Sequence, residues 1–437
     1  MNTLEKGTMY KRVILLGLQF SVFGLWAVAP GYEVVWEKEF DKPISKVVWA
    51  YENDTLYPKV LVIGKTEVRF LNPSGEVEAR LTFRPSKVYI SPNGKYVGVE
   101  TFIVPEIPYA YDPHRPPYYI RYLRLYDDKG GLLWGVQDTL MDTEEYYAMH
   151  ISNKGIVIVD RPFYGGLDLF NLYGNRKIIA PFGFDVDWGV RGWSVIWTES
   201  GNKFILLGGA NPIRGPKSLW LILYDANGNE IWRKPIDARV GKIYSSYNAK
   251  YMLLDVWEWQ CHDGETHWEE GCLLLDSLGN IIKEMPNVRG KATFSPDEKL
   301  FVLCQGNKFS LVKSADGQIL WEKKLTFEIM SAKFLTANEF VVISYKRFPR
   351  EKYEKQLKGL PASEARKRYS ELLEDFCKTM DDVELFAFDI SGNIIWHRKY
   401  TGRLANRDIL QAVAPDRIVL KLGKTYKMFR KIQREEE

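Results

Sequence analysis

The stretch Trp220-Leu221-Ile222-Leu223-Tyr224-Asp225-Ala226-Asn227-Gly228-Asn229-Glu230-Ile231-Trp232-Arg233-Lys234 joins two short runs of strand character through a turn. Asp225 stands three residues before Gly228, and Trp232 follows that Gly at the fourth position. The same arrangement recurs at Asp127…Gly130…Trp134, Ser314…Gly317…Trp321 and Asp389…Gly392…Trp396. Asn72…Gly75, Asn171…Gly174 and Asp276…Gly279 keep the turn without the Trp. Periodicity on the scale of tens of residues marks a modular fold.

A second punctuation lies between these turns. Ser91-Pro92-Asn93-Gly94-Lys95 and Ser295-Pro296-Asp297-Glu298-Lys299 are its clearest copies. Asn53-Asp54, Asn153-Lys154-Gly155, Glu199 to Lys203, Asn248 to Lys250, Thr336 to Glu339 and Pro415 to Arg417 are degenerate ones. Each separates two short runs that read as a hairpin. A unit is therefore four strands, A to D, with tight A–B and C–D turns and about 50 residues per unit on the scale typical of propeller blades. The last unit, from Asp408 to Lys431, supplies strands A, B and C and then ends. Val34-Val35-Trp36-Glu37-Lys38 nearly duplicates Ile319-Leu320-Trp321-Glu322-Lys323, a D strand. An open stack of sheets would leave edges at both ends, whereas a ring latched by the N-terminal strand removes them. The count predicts an all-β, eight-bladed β-propeller over residues 31–437, with seven blades as the alternative.

The repeat resembles that of quinoprotein-like and WD40-like propellers, whose units carry Asp-x-x-Thr-Gly-x-x-x-Trp. The resemblance covers nearly everything after residue 30, although these turns are one residue shorter and lack the Thr. It implies the fold and a packing place for the Trp residues between blades; many unrelated activities use propellers. Quinoprotein dehydrogenase chemistry would need a calcium-binding carboxylate set and an aromatic shelf. The recognisable motifs provide neither, so no cofactor is expected.

With 46% apolar and 14% aromatic residues, the 437-residue chain can build a large core. The 60 basic and 56 acidic residues nearly balance, and no basic stripe stands out, so a nucleic-acid partner is not expected. Residues 1–30 read as a signal peptide or a membrane anchor. Lys11 and Arg12 precede an apolar stretch, Val13 to Ala29, interrupted by Gln19 and Ser21. Ala27-Val28-Ala29 fits a signal-peptidase site, and Pro30 would hinder cleavage there. As a helix the stretch would span about 26 Å, marginal against a hydrocarbon core of about 30 Å. Both readings place the propeller outside the cytoplasm: secreted, periplasmic or tethered at the cell surface.

The long insertions fall between strands B and C, at residues 103–119, 208–217, 260–270 and 347–382, and must leave one face of the disc. Loops gathered on one side of a rigid scaffold are where recognition usually resides. Tyr109, Tyr111, His114, Tyr118 and Tyr119, set among prolines in the first insertion, form a strip suited to a peptide or sugar, or one that packs over the channel. In the seventh blade, residues 349–380 switch to helical period, with Ala365, Tyr369, Leu372, Leu373, Phe376 and Met380 on one stripe. Tyr369 and Phe376 are its candidate contact residues. The expected partner is a protein, peptide or polysaccharide.

Cys261 and Cys272 bracket His262 and His267. An exported chain favours a disulfide between the two cysteines, and a Cys₂His₂ metal site from all four is the weaker alternative. Cys304 and Cys377 read as buried thiols. The rival to a binding scaffold is an oxidoreductase, lyase or hydrolase with a site at the channel mouth. Asp185, Asp187 and Glu199 are its acidic candidates, and no Gly-x-Ser-x-Gly elbow or phosphate-binding Gly loop accompanies them.

Overall fold

The A–B, B–C and C–D hairpins fold each repeat into one antiparallel four-stranded sheet, and eight such sheets make up the ring. The structure, a computed structural model, describes residues 32–431 apart from 40–43, 53, 85–86, 104–118, 141–147, 162–165, 180–193, 209–218, 237–238, 263–264, 346–356, 358–359, 380–382, 401–409 and 423–424. Blade 4 is typical: strands Ser194–Trp197, Lys203–Gly208, Leu219–Asp225 and Glu230–Ile236 lie side by side in that order. Blade 8 takes Leu410–Ala414, Arg417–Leu422 and Thr425–Lys431 from the end of the chain, and its fourth strand, Tyr32–Glu39, from the beginning. Trp36 sits opposite Met428 and Lys38 opposite Tyr426 in that ladder. The circle is closed, and it holds eight blades.

Period two explains why strands B and C read as unbroken apolar runs. In Phe204-Ile205-Leu206-Leu207, Phe204 and Leu206 enter the cluster shared by blades 3 and 4, while Ile205 and Leu207 enter the cluster shared by blades 4 and 5. Both faces of a blade are covered, so both are predominantly apolar. An apolar cluster of this kind occupies each of the eight blade interfaces, including the closing one, where Leu56, Val419 and Tyr426 meet Trp49.

The C–D turn is a side-chain-capped loop. Asp225 Oδ1 accepts from the backbone N–H of Asn227 and of Asn229, both at 2.8 Å, and Gly228 N–H donates to the Asp225 carbonyl at 3.0 Å. An Asx cap of this kind satisfies the backbone groups that a turn leaves over. The Gly has a second duty. At Gly279 (φ +74°) a Cβ would stand 3.0 Å from Cη2 and Cζ3 of Trp232, on strand D of the preceding blade. Gly174 receives Trp134 and Gly392 receives Trp321 in the same way. Trp232 Nε1 then donates to the Ser277 carbonyl at 2.8 Å, and Trp321 Nε1 to the Ile390 carbonyl at 2.7 Å. The repeat's Gly and Trp are thus a socket and the key from the neighbouring blade, which places these Trp residues between blades.

The A–B turns carry their own inter-blade bonds near the axis. Asn93 N–H donates to Asn153 Oδ1, Asn153 Nδ2 to the Glu199 carbonyl, Ser200 N–H to the Tyr247 carbonyl and Asn248 N–H to Glu298 Oε1. Blades 2 to 6 are linked turn to turn by this chain of bonds. Both kinds of tight turn open on one face of the disc, the turn face. The B–C and D–A connections open on the other.

Candidate binding face

Strands B and C of blades 2, 4, 5 and 7 rise to the face opposite the turns. Tyr96–Ile103 and Tyr119–Asp127 bracket the first long insertion, and Glu339–Tyr345 and Val383–Asp389 the last. Tyr345 pairs with Val383 at the base of that last insertion. Helix α1, Ala362–Thr379, lies within it. The Pro361 carbonyl accepts from Ala365 N–H at 2.8 Å in its first turn. Ala365, Tyr369 and Leu372 are half-buried, while Ser363, Glu364, Arg366, Lys367, Arg368, Ser370 and Glu371 are exposed. These three are the described part of the stripe expected at helical spacing; Met380 and the side chains of Leu373 and Phe376 lie outside the described residues.

Tyr109, Tyr111, His114 and Tyr118 lie outside the described residues. Tyr119 opens strand C of blade 2 and pairs with Leu140, and Phe376 lies within helix α1. The strand ends that bracket the first insertion and those that bracket helix α1 open on the same face of the ring.

The blade-5 insertion is a correction. Residues 260–270 are not a loop: Tyr251–His262 and Glu265–Asp276 form one continuous ladder whose final rung is His262 opposite Glu265. Cys261 sits opposite Thr266 and Cys272 opposite Asp255, six rungs apart, or roughly 20 Å along the strands. No disulfide joins them. Cys272 is a free, buried thiol, as is Cys304, and burial pushes both up to about 12. The same register separates Cys272 from His262 and His267, so the four do not form one tetrahedral metal site. Among the described residues no three His, Cys, Asp or Glu side chains gather around a common point. Strands A and D of this blade pair with the hairpin only as far as Trp257 and Gly271. The rungs from Glu258–Glu269 to His262–Glu265 stand above the sheet as a two-stranded ribbon, with Trp259 directly opposite Trp268.

Beneath this face the upper halves of the blades carry ion pairs. In blade 2, Arg121 and Glu100 are each 1% exposed. Arg121 Nη2 donates to Asp138 Oδ2 at 3.1 Å, and its Nη1 lies 3.8 Å from Glu100 Oε1. The Tyr89 hydroxyl donates to Glu100 Oε2 at 3.0 Å. Burial raises the Glu100 carboxyl above its ordinary value, against the opposing pull of Lys87, Arg121 and Tyr89. In blade 5, Arg289 reaches Glu270 at 3.0 Å and Asp255 at 3.6 Å, and burial raises the Asp255 carboxyl in the same way. Lys308–Glu322 in blade 6 and Lys399–Glu384 in blade 7, the latter at 2.7 Å, continue the series. Burying charge is costly unless it is paired, so the buried groups Arg121, Glu100, Asp255 and Glu384 fix strand pairing at the level where the long connections depart, whereas Lys308 and Glu322, 45% and 41% exposed, form a surface pair.

The acidic candidates for catalysis do not assemble here. Asp185 and Asp187 lie outside the described residues, and Glu199 is exposed in an A–B turn on the opposite face. Sequence reasoning missed the buried ion pairs; the available signal was a charge inside an apolar strand run, as in Tyr96-Val97-Gly98-Val99-Glu100.

No family model matches the chain, and no curated protein matches it. Solved structures do. A crystal structure of Sqt1 from Saccharomyces cerevisiae aligns with a TM-score of 0.49 at 9% identity, covering 93% of this chain and 99% of that one. A eukaryotic initiation factor aligns with a TM-score of 0.45 at 10% identity, over 83% and 89%. The β-propeller domain of Myceliophteria thermophila Cps50 (Swd1) aligns with a TM-score of 0.39 at 10% identity, over 72% and 96%. At such identities the chain resembles these proteins in fold alone.

Proposed function

We propose that this chain is an extracytoplasmic propeller scaffold that engages a protein, peptide or polysaccharide partner through the face bearing its B–C insertions. One observation carries the reading: the two faces are built differently. The turn face is made of short loops: six of the seven C–D turns are capped by their own Asx side chain, and those of blades 3, 5 and 7 also receive the preceding blade's Trp. The opposite face receives every long connection, a projecting ribbon and helix α1. A rigid ring with elaboration on one side is the architecture of a recognition surface, because the scaffold holds variable segments at fixed separations. The apolar stretch Val13 to Ala29 supports export.

The test removes one element without opening the ring. Tyr345 and Val383 are already paired, so an Asn-Gly turn can replace residues 346–382 and close the hairpin. The expected result is an unchanged urea midpoint together with loss of partners from a pull-down on the full-length chain. Retention of every partner would refute the role of this insertion.

A further inference from the structure

We propose that residues 13–29 tether the protein to a lipid bilayer, with the turn face of the disc lying against the membrane and the insertion face directed away from it. This orientation stands independently of what the insertion face binds. The entry point of the latch strand sets this orientation. Tyr32 pairs with Lys431, and Lys431 N–H donates to the carbonyl of Asp416 in the A–B turn of blade 8. The chain therefore enters blade 8 on the turn face and leaves strand D, at Glu39, on the other. Only Pro30 and Gly31 separate the apolar stretch from Tyr32. Two linking residues reach about 10 Å at full extension, so a bilayer holding Val13 to Ala29 passes directly under that face.

The face itself carries a second, separate mark. The third position of the C–D turn is polar in blades 1, 2, 4, 6 and 7: Ser74, Lys129, Asn227, Asp316 and Ser391. In blades 3 and 5 it is Tyr173, 80% exposed, and Leu278, 62% exposed. Blades 3 and 5 flank blade 4, which lies diametrically across the ring from blade 8. In a regular eight-bladed ring each stands about 135° from the tether, one on either side. The tether and the two apolar tips are thus three supports spread around one face. Tyr and Leu at such points suit the headgroup boundary, where an amphipathic ring and an aliphatic side chain both find favourable surroundings. Exposed Leu132, Ile281, Ile319 and Ile394 sit just behind, where strands D leave their turns.

The experiment places a photoactivatable benzophenone amino acid in the full chain, one position at a time, at Tyr173, Leu278, Lys65 and Lys324. Lys65 lies in the B–C turn of blade 1, and Lys324 ends strand D of blade 6, both on the insertion side. The chain is reconstituted into phosphatidylcholine–phosphatidylglycerol vesicles, irradiated and assayed for lipid adducts. Adducts at Tyr173 and Leu278, with their loss at Lys65 and Lys324, are expected. Adducts at Lys65 or Lys324 of equal or greater yield would overturn the orientation. Absence of lipid adducts at all four positions would overturn the contact. Recovery of the chain from the aqueous phase with an N-terminus beyond Ala29 would overturn the tether.

Discussion

Replacing Gly279 by Ala tests the socket-and-key account of the repeat. Two separate costs apply at this position. The first is backbone strain: Gly279 has φ +74°, and a left-handed L-residue costs about 1–2 kcal/mol, of which about 0.4–1 kcal/mol is regained because Ala restricts the unfolded chain. The second is steric. A methyl group would meet the Trp232 ring at 3.0 Å and Lys234 Cγ at 3.1 Å, inside ordinary contact distance, and overpacking of this kind costs about 1–3 kcal/mol. Gly306, in the B–C turn of blade 6, isolates the first cost: φ is +59° and nothing stands within 4 Å of its Cβ position. Gly279→Ala should therefore exceed Gly306→Ala by about 1–3 kcal/mol in urea unfolding at unchanged m. In a Trp232→Leu background the excess should shrink, since the key has been cut down. Equal costs for the two glycines, or an excess that persists without the Trp, would refute the reasoning.

Trp321→Phe should cost at least about 1 kcal/mol more than Trp134→Phe in the same assay, because Trp321 Nε1 donates to the Ile390 carbonyl whereas Trp134 Nε1 is buried without a hydrogen bond. Arg121→Met should destabilise by about 3–5 kcal/mol by stranding Glu100 and Asp138, with partial recovery on adding Glu100→Gln. Burial pushes His150 down to about 4, so the unfolded chain binds its proton first as pH falls. Stability from this group is complete above about pH 6.5 and is lost towards pH 4, up to about 3 kcal/mol, and His150→Gln should flatten urea midpoints across that window. Cys272 and Cys304 should react with a thiol-specific reagent only after denaturation; rapid labelling of both in the folded protein would contradict their burial.

The blade count was legible because turns are local. Gly at a left-handed position, an Asx residue three places earlier and a Trp four places later all act within one stretch of chain, so spacing alone reveals them. Closure was legible because Val34 to Lys38 copies a D strand that blade 8 lacks. The blade-5 hairpin was misread even though Asp263-Gly264 between two Trp-bearing runs is a strong two-residue hairpin signal. The density of Cys and His drew attention to ligands rather than to the alternation that sets a ladder. Arg121 and Arg124 show the opposite limit. They lie three residues apart on one strand, and Arg121 alone is fully buried, with Glu100 and Asp138 as its ion-pair partners. Nothing in a linear pattern ranks them, because the deciding neighbours come from other strands.

The fit of Trp134, Trp232 and Trp321 into the following blade's glycine turn gives the ring a direction of assembly, like links of a chain that hook only one way. A two-blade segment such as blades 5 and 6 would carry an eye at Gly279 and a hook at Trp321, and could be spliced between existing links without redesign of either neighbour. Blade 8 cannot be copied so freely, since it has no C–D turn of its own and Trp396 rests instead near Phe429. Growth of such a molecule by duplication is thereby steered towards its interior repeats and away from its seam.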